Sequence, residues 1–118
     1  MRGIRGATQI SANTVEAMEE AVVELVDALM ERNRLRPEDI TWAIFTVTHD
    51  LDADFPARAA RIKGGWGMVP MICSREIPVP GSLPRVIRVL LHVDTGTPRD
   101  ATHVYLRGAR VLRPDLHK

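Results

Sequence analysis

The residues with the clearest chemical potential lie between Val69 and Val93, in the segment VPMICSREIPVPGSLPRVIRVLLHV. This segment holds the chain's single cysteine, Cys73, a carboxylate, Glu76, and Arg88, which interrupts an otherwise apolar run. A charged side chain that leaves water needs a compensating partner. Arg88 therefore predicts an anionic ligand at this point of the chain.

Further hydrogen-bond donors are expected at the ends of the predicted strands: Arg5, Tyr105 and one or more of Arg58, Arg61 and Arg113. No histidine follows or precedes Cys73, and the sequence has neither a serine nucleophile elbow nor a Walker-type phosphate loop. This set suits the binding of a small molecule with several negative charges, and the stabilisation of charge that develops on an oxygen. The competing interpretation is that these residues pair with one another, for example Glu76 with Arg75 or Arg85.

Hydrophobic periodicity predicts the elements that must position these residues. A long amphipathic helix is expected within residues 14–34, and a short helix begins at Pro56 and ends at Gly64 and Gly65. Gly3 and Gly6 in the first strand indicate a bend or a close backbone approach. The prolines of residues 74–84 exclude regular structure there. Strands are predicted at residues 2–8, 40–47, 69–73, 85–93 and 102–106.

The faces of two predicted strands have a consequence for assembly. In residues 40–47, one face carries Ile40, Trp42 and Ile44, and the other carries Ala43, Phe45 and Val47. In residues 85–93, one face is wholly apolar and the opposite face includes Arg88. A sheet that is apolar on both faces needs two covering layers, whereas the chain has helices for about one. We therefore expect another copy of the chain to cover the second face, with a site between subunits.

Composition limits the class of protein. A chain of 118 residues with 26% charged and 45% hydrophobic residues predicts one globular domain spanning residues 1–118. The start of the chain lacks the apolar run of a secretory signal, and a single cysteine cannot form an internal disulfide, so we expect a cytoplasmic protein. No apolar run is long enough to span a membrane. Scattered basic residues and 4% aromatic residues argue against a nucleic-acid surface.

Five segments of this chain resemble the small, trimeric, pseudo-α/β-barrel class of chorismate mutase. They are RGIRGAT near the start, DLDADFPARAAR, GWGMVPMICSREIPVPGSLPRVIRV, HVYL at 103–106 and VLRPDL at 111–116. Their order and spacing cover almost the whole chain. The resemblance implies an isomerase that rearranges chorismate to prephenate by a [3,3]-sigmatropic shift, on the route to phenylalanine and tyrosine. It implies no cofactor and no metal.

The resemblance also implies a fold and an assembly. The fold is an α+β (α/β) structure, a mixed five-stranded sheet with one long and one short helix. Three copies assemble as a homotrimeric pseudo-α/β-barrel with the active sites between subunits, in agreement with the uncovered sheet face deduced above.

Three residues have the main catalytic roles that the resemblance implies. Arg88 contacts the ether oxygen of the breaking C–O bond, and Glu76 accepts a hydrogen bond from the ring hydroxyl. Arg5 binds a substrate carboxylate. The other residues implied to bind substrate are Cys73 at the ring hydroxyl, Tyr105 at a carboxylate, Phe55 and Leu112 as apolar walls, and Arg58, Arg61 and Arg113 as peripheral cations.

Some positions depart from the family pattern, and alternatives of another class stay open. Arg58 stands where lysine is frequent, Ile72 stands where threonine can occur, and the tail beyond Leu116 is short. A non-catalytic trimer that binds a small molecule, or a deaminase with an interfacial site, could use the same sheet and arginines. Glu76 distinguishes them, because a ring hydroxyl needs an acceptor and a simple metabolite sensor does not.

Overall fold

The computed structural model describes residues 1–114, so the tail beyond Leu116 lies outside the described residues. The strands are β1 (Arg2–Gln9), β2 (Ile40–Val47), β3 (Met71–Arg75), β4 (Val86–Val93) and β5 (Val104–Tyr105). The α-helices are α1 (Val15–Asn33) and α2 (Pro56–Ile62), and two 3-10 helices are η1 (Pro37–Asp39) and η2 (Arg107–Leu112). The predicted mixed five-stranded sheet with one long and one short helix is confirmed.

The sheet has the strand order β3-β2-β4-β1-β5. Strand β4 is antiparallel to both β1 and β2, whereas β5 is parallel to β1 and β3 is parallel to β2. The two long central strands therefore place Arg5 opposite Leu90 and Ala7 opposite Arg88. On the other side of β4, Thr46 lies opposite Arg88.

Helix α1 forms because its cap and its apolar stripe agree. Thr14 is the N-cap, and its Oγ1 accepts a hydrogen bond from the backbone N–H of Ala17 at 3.1 Å. Arg34 ends the helix in the left-handed conformation, with φ of 52°. The stripe formed by Met18, Val22, Leu25 and Leu29 is fully buried against the sheet. This helix and α2 cover the same face of the sheet, to which the apolar side chains of β4 belong.

Gly6 explains how closely α1 approaches the sheet. A Cβ at Gly6 would lie 3.1 Å from Leu29 and Val89 and 3.2 Å from Leu25, tighter than most real contacts. The predicted close approach is thus confirmed at Gly6. It is wrong at Gly3, where a Cβ would meet only Leu90, at 3.8 Å.

Two predicted strand ranges and one predicted face differ from the structure. Strand β3 begins two residues later than predicted, because Val69 donates its N–H to Trp66 in a turn and Pro70 has no N–H to give. It also ends two residues later: the prediction of no regular structure in residues 74–84 is wrong at 74 and 75, which pair with β2. Strand β5 has two residues only, because Thr102 donates its N–H to the side chain of Asn33. A bulge between Ile40 and Trp42 turns Ile40 to the helix-covered face, so Ile40 does not share a face with Trp42.

The second face of the sheet is covered only in part. Near β1 and β5, η2 packs on it and buries Ala7, Tyr105 and Ala109, with Leu112 at the margin. Further along the sheet, Leu90 is 39% exposed and Ile72 is 63% exposed. Within residues 1–114, the two α-helices thus cover one face, as predicted, whereas η2 on the second face was not predicted. Within residues 1–114, no helix combines the length and apolarity needed to cross a membrane.

Candidate functional site

A charged pair on the open face of the sheet forms the centre of the candidate site. Strand β4 presents Arg88 and the chain just after β3 presents Glu76, whose backbone N–H donates to the carbonyl of Val47 at 2.9 Å. Nε of Arg88 lies 3.0 Å from Oε1 and 2.9 Å from Oε2 of Glu76. Oγ1 of Thr46 donates to Oε2 of Glu76 at 2.8 Å. Neighbouring strands thus fix the carboxylate from two directions.

This pair corrects the argument made from the sequence about Arg88. Its side chain is 46% exposed, so in the single chain it is a half-solvated cation whose partner is Glu76. The proposed pairing of Glu76 with Arg75 or Arg85 is wrong. Arg75 donates to the carbonyl of His49 at 3.4 Å, and Nε of Arg85 donates to the carbonyl of Ile10 at 2.9 Å.

Two grooves meet at Arg88. The first has a volume of about 290 Å³ and is lined by Arg5, Ile44, Thr46, Leu90 and Tyr105 together with Arg88. The second, of about 540 Å³, lies between the proline loop (residues 77–84) and Leu112 of η2, with Glu76 and Arg88 beside it. Arg5 and Tyr105 therefore lie on one side of Arg88, and Glu76 and an apolar wall lie on the other.

Positive charge accumulates at the β1–β5 end of this site. The backbone N–H of Arg5 donates to Nδ1 of His103 at 3.0 Å. The pKa of His103 lies below its ordinary value because burial disfavours the charged imidazolium, and because Arg5 and Arg113 repel a further positive charge. The neutral imidazole therefore acts as an acceptor. An anion bound here would be attracted by both arginines.

The structure does not bring the remaining predicted residues to Arg88. Cys73 lies opposite Phe45 on the helix-covered face and packs against the core. Phe55, just before α2, is 67% exposed and shares a separate hollow of about 350 Å³ with Cys73. Arg58 forms an ion pair with Asp54 at 3.4 Å, and Arg61 is exposed on α2. The candidate residues therefore fall into two groups within one chain.

The first group, named the acceptor group, lies around the two grooves at Arg88 and comprises Arg5, Glu76, Arg88, Tyr105, Leu112 and Arg113. The flank group comprises Phe55, Arg58, Arg61 and Cys73.

The comparisons with known proteins agree over nearly the whole chain. The model of the family described as chorismate mutase type I matches residues 1–116. The chain belongs to the chorismate mutase type I family. Chorismate mutase AroH of Thermus thermophilus is 52% identical over 118 residues, covering 98% of this chain and 96% of that protein. Chorismate mutase AroH of Bacillus subtilis is 43% identical over 117 residues, covering 98% and 92%.

A solved structure supports the same assignment at the level of the fold. A chorismate mutase from Clostridium thermocellum superimposes with a TM-score of 0.89 at 47% identity, covering 94% of this chain and 99% of that one. These similarities favour a type I chorismate mutase over the two alternatives, the non-catalytic binding trimer and the deaminase.

Two residues of this type I chorismate mutase that sequence reasoning did not select now belong to the site. Thr46 orients Glu76, and His103 holds the backbone of Arg5. The sequence did indicate Thr46, because it is a polar residue in a mostly apolar strand and shares the face of Trp42 and Ile44. It indicated His103 more weakly, since His103 precedes Tyr105 on the same face of the predicted fifth strand.

Proposed function

We propose that this type I chorismate mutase rearranges chorismate to prephenate at a site built between two subunits of a homotrimer. The observation that carries the proposal is the Thr46–Glu76–Arg88 chain of contacts, which fixes a carboxylate beside a half-exposed guanidinium on the open sheet face. The reaction belongs to the biosynthesis of phenylalanine and tyrosine. The chain acts as one domain in the cytoplasm, without a cofactor.

The reaction breaks one C–O bond and forms one C–C bond inside a single molecule, so it needs no external electron or proton donor. Negative charge develops on the ether oxygen as its bond to the ring lengthens. In the proposed complex a guanidinium N–H of Arg88 donates to that oxygen. Because the charge is larger in the transition state than in chorismate, this contact lowers the barrier more than it strengthens substrate binding.

Glu76 has a different part in the same step. Its carboxylate accepts the hydrogen bond of the ring hydroxyl, and Thr46 keeps one of its oxygens in place. The negative charge also favours positive character on the ring as the ether oxygen departs with the electron pair. Arg88 and Glu76 thus stabilise the opposite charges that develop at the two ends of the breaking bond. Their mutual contact holds both side chains in the required orientation before substrate binds.

The two carboxylates of chorismate require cations at a distance from the breaking bond. Arg5 and Tyr105 line the groove on one side of Arg88, and Arg113 lies near enough to His103 to influence its pKa. We assign Arg5 and Tyr105 to one carboxylate and Arg113 to the periphery. Their joint effect is to hold the substrate in a compact conformation in which the two carbon atoms that bond lie close together.

The second subunit is needed because the acceptor group forms one side of a site only. The flank group lies on another part of the same chain, and the open face around Leu90 and Ile72 needs a cover. A neighbouring copy would supply both, by placing its own Phe55, Arg58, Arg61 and Cys73 over Arg88. Cys73 then contributes a polar contact to the ring hydroxyl and no covalent step.

Two experiments test these statements. The purified protein is expected to deplete chorismate, followed by its ultraviolet absorbance, with no metal or cofactor added, and persistence of chorismate at high protein concentration refutes the activity. The shared site is tested by mixing Arg88→Ala with Arg58→Ala after unfolding and refolding together. Because two different subunits must each carry an intact group, random mixing should restore about a quarter of the parent activity. No recovery contradicts the shared site.

A further inference from the structure

The groove beside Glu76 has two walls that are not part of the sheet. One is the proline loop, which contributes Ile77, Val79 and Leu83, and the other is η2, which contributes Leu112. Irregular segments of this kind need contacts that hold them at a fixed separation. The side chain of Gln9, at the end of β1, contacts both walls.

The contact of Gln9 with the loop wall is a hydrogen bond. Its Nε2 donates to the carbonyl of Pro84 at 3.0 Å. The next residues along both segments continue the attachment, because the N–H of Ile10 donates to the carbonyl of Arg85 at 2.9 Å, and Nε of Arg85 donates to the carbonyl of Ile10 at 2.9 Å. The last residues of the loop are thus attached to the end of β1.

Gln9 contacts the η2 wall by close packing of its carboxamide against Gly108. A Cβ at Gly108 would overlap Oε1 of Gln9 and would lie 2.8 Å from its Cδ. Gly108 is not among the glycines with positive φ, so its backbone conformation suits any residue. A larger residue at position 108 would therefore displace the carboxamide of Gln9 from its present place.

A second attachment holds the start of η2 from the other side. Nε of Arg107 donates to Oε1 of Glu24 at 3.1 Å, and its Nη2 donates to Oε1 of Glu20 at 3.4 Å, both on α1. These contacts hold the start of η2 against α1, and Ala109 packs with Ala7 on the sheet. Gln9 meets η2 at Gly108, between these attachments and Leu112 at the far end.

We propose that Gln9 is a positioning residue for the substrate, which sets the separation of the loop wall and the η2 wall, with Gly108 as its matching space. The inference rests on the proposed function, because it assumes that chorismate binds between these walls. Gln9 acts through Pro84 and Gly108 and not on the reacting atoms. Its loss should widen the groove and weaken binding, while the Arg88–Glu76 contact and the bond-breaking step stay intact.

A double-mutant cycle tests this coupling. Gln9→Ala is expected to raise KM about fivefold and to change kcat less than about twofold, the scale of one lost hydrogen bond. Gly108→Ala should give a similar rise in KM, because its methyl group displaces the carboxamide. In the double variant the Gly108→Ala change should have no further effect, since the carboxamide is already gone. Two effects on KM that multiply would overturn the proposal.

The KM of Gln9→Met gives a second test, which does not depend on the stability of the alanine variant. Methionine keeps the length of the side chain but cannot donate to Pro84, so KM should rise as in Gln9→Ala. A parent KM in both Gln9 variants overturns the positioning role. The proposed function is judged separately, because absence of chorismate turnover in the unmodified protein refutes that function, whatever the variants do.

Discussion

Arg88 faces both carboxylate oxygens of Glu76 through one nitrogen, Nε, at 3.0 Å from Oε1 and 2.9 Å from Oε2. Within residues 1–114, no hydrogen bond of Arg88 uses its two terminal nitrogens. The guanidinium is therefore oriented by Glu76 and keeps its terminal N–H groups for another acceptor. This is the geometry that a donor to a substrate oxygen requires, because a fixed plane costs no reorganisation when charge develops.

Replacement of Arg88 by lysine is expected to lower kcat by about a hundredfold or more, with a much smaller change in KM. A lysine retains the charge but cannot contact Glu76 and an oxygen at once through a rigid plane. Steady-state kinetics with chorismate measure both constants. Arg36→Lys is the matched control, because Arg36, just before η1, is 73% exposed beside Glu38 and Asp39. Equal losses in both variants would remove Arg88 from the centre of the mechanism.

Glu76→Gln should separate activity from stability. The Arg88 side of the ion pair is half-solvated, and such pairs contribute less than about 1 kcal/mol, so the free energy of unfolding should change little. Activity should fall by at least about tenfold, because the neutral amide cannot offset the positive character that develops on the ring in the transition state. Urea unfolding and chorismate turnover give the two values. A loss of stability that matches the loss of activity would indicate a structural role for Glu76 instead.

Thr46→Val tests the support of that carboxylate. Valine has a similar shape but removes the donor that lies 2.8 Å from Oε2 of Glu76. A decrease in kcat/KM of about three- to tenfold is expected, the scale of one typical net hydrogen bond, because Arg88 still contacts the carboxylate. If the kinetics stay at the parent values, Arg88 alone orients Glu76.

The pH dependence of stability should include a contribution from His103. Its pKa is lowered in the folded chain by burial and by the charges of Arg5 and Arg113. The unfolded chain therefore takes up this proton first, at pH near 6.5, and the folded state loses stability as the pH falls below that value. Above it the contribution is fully present. Urea midpoints at pH 7.5 and 5.5 measure the slope.

His103→Asn identifies the source of that slope. Asparagine keeps an acceptor for the N–H of Arg5 but does not titrate, so the difference between the two midpoints should shrink. An unchanged slope in His103→Asn would exclude His103 as the group responsible.

Gly6→Ala should destabilise the chain by about 1–3 kcal/mol, because the new methyl group overpacks Leu25, Leu29 and Val89. Gly3→Ala, on the open face of the same strand, should change the free energy of unfolding by less than about 0.5 kcal/mol. Denaturant unfolding of both variants checks the difference. Equal effects would mean that α1 is able to move away from β1.

The sequence predicted most of the fold because its apolar periods are regular. The ranges of α1, β2 and α2 follow from period and caps alone. The prediction was wrong where side chains replace the sheet's own hydrogen bonds, as Asn33 does for Thr102, and where a bulge changes the parity of a strand at Ile40. Such contacts join residues far apart in the chain and leave no periodic signal.

The candidate site was predicted in its members and not in its arrangement. Alternation placed Arg88 on the face away from the core, and β4 confirms that placement. The side of β3 on which Cys73 lies was not predicted, because it depends on the pairing of Cys73 with Phe45 in β2. Roles at the substrate that the resemblance implies for Arg5, Glu76 and Tyr105 stay predictions.

The interior position of β1 in the sheet, between β4 and β5, has a consequence for the time at which the protein can fold during synthesis. Both neighbours of β1, which are β4 and β5, come from the last third of the chain. Strand β1, the first strand of this sheet to be synthesised, therefore cannot pair until β4 and β5 have been synthesised. Its backbone N–H and C=O groups have no strand partner until then. Helix α1 is emitted directly after β1 and carries the apolar stripe that packs on Gly6. Until β4 is synthesised, α1 is the neighbouring element that can cover the apolar side of β1.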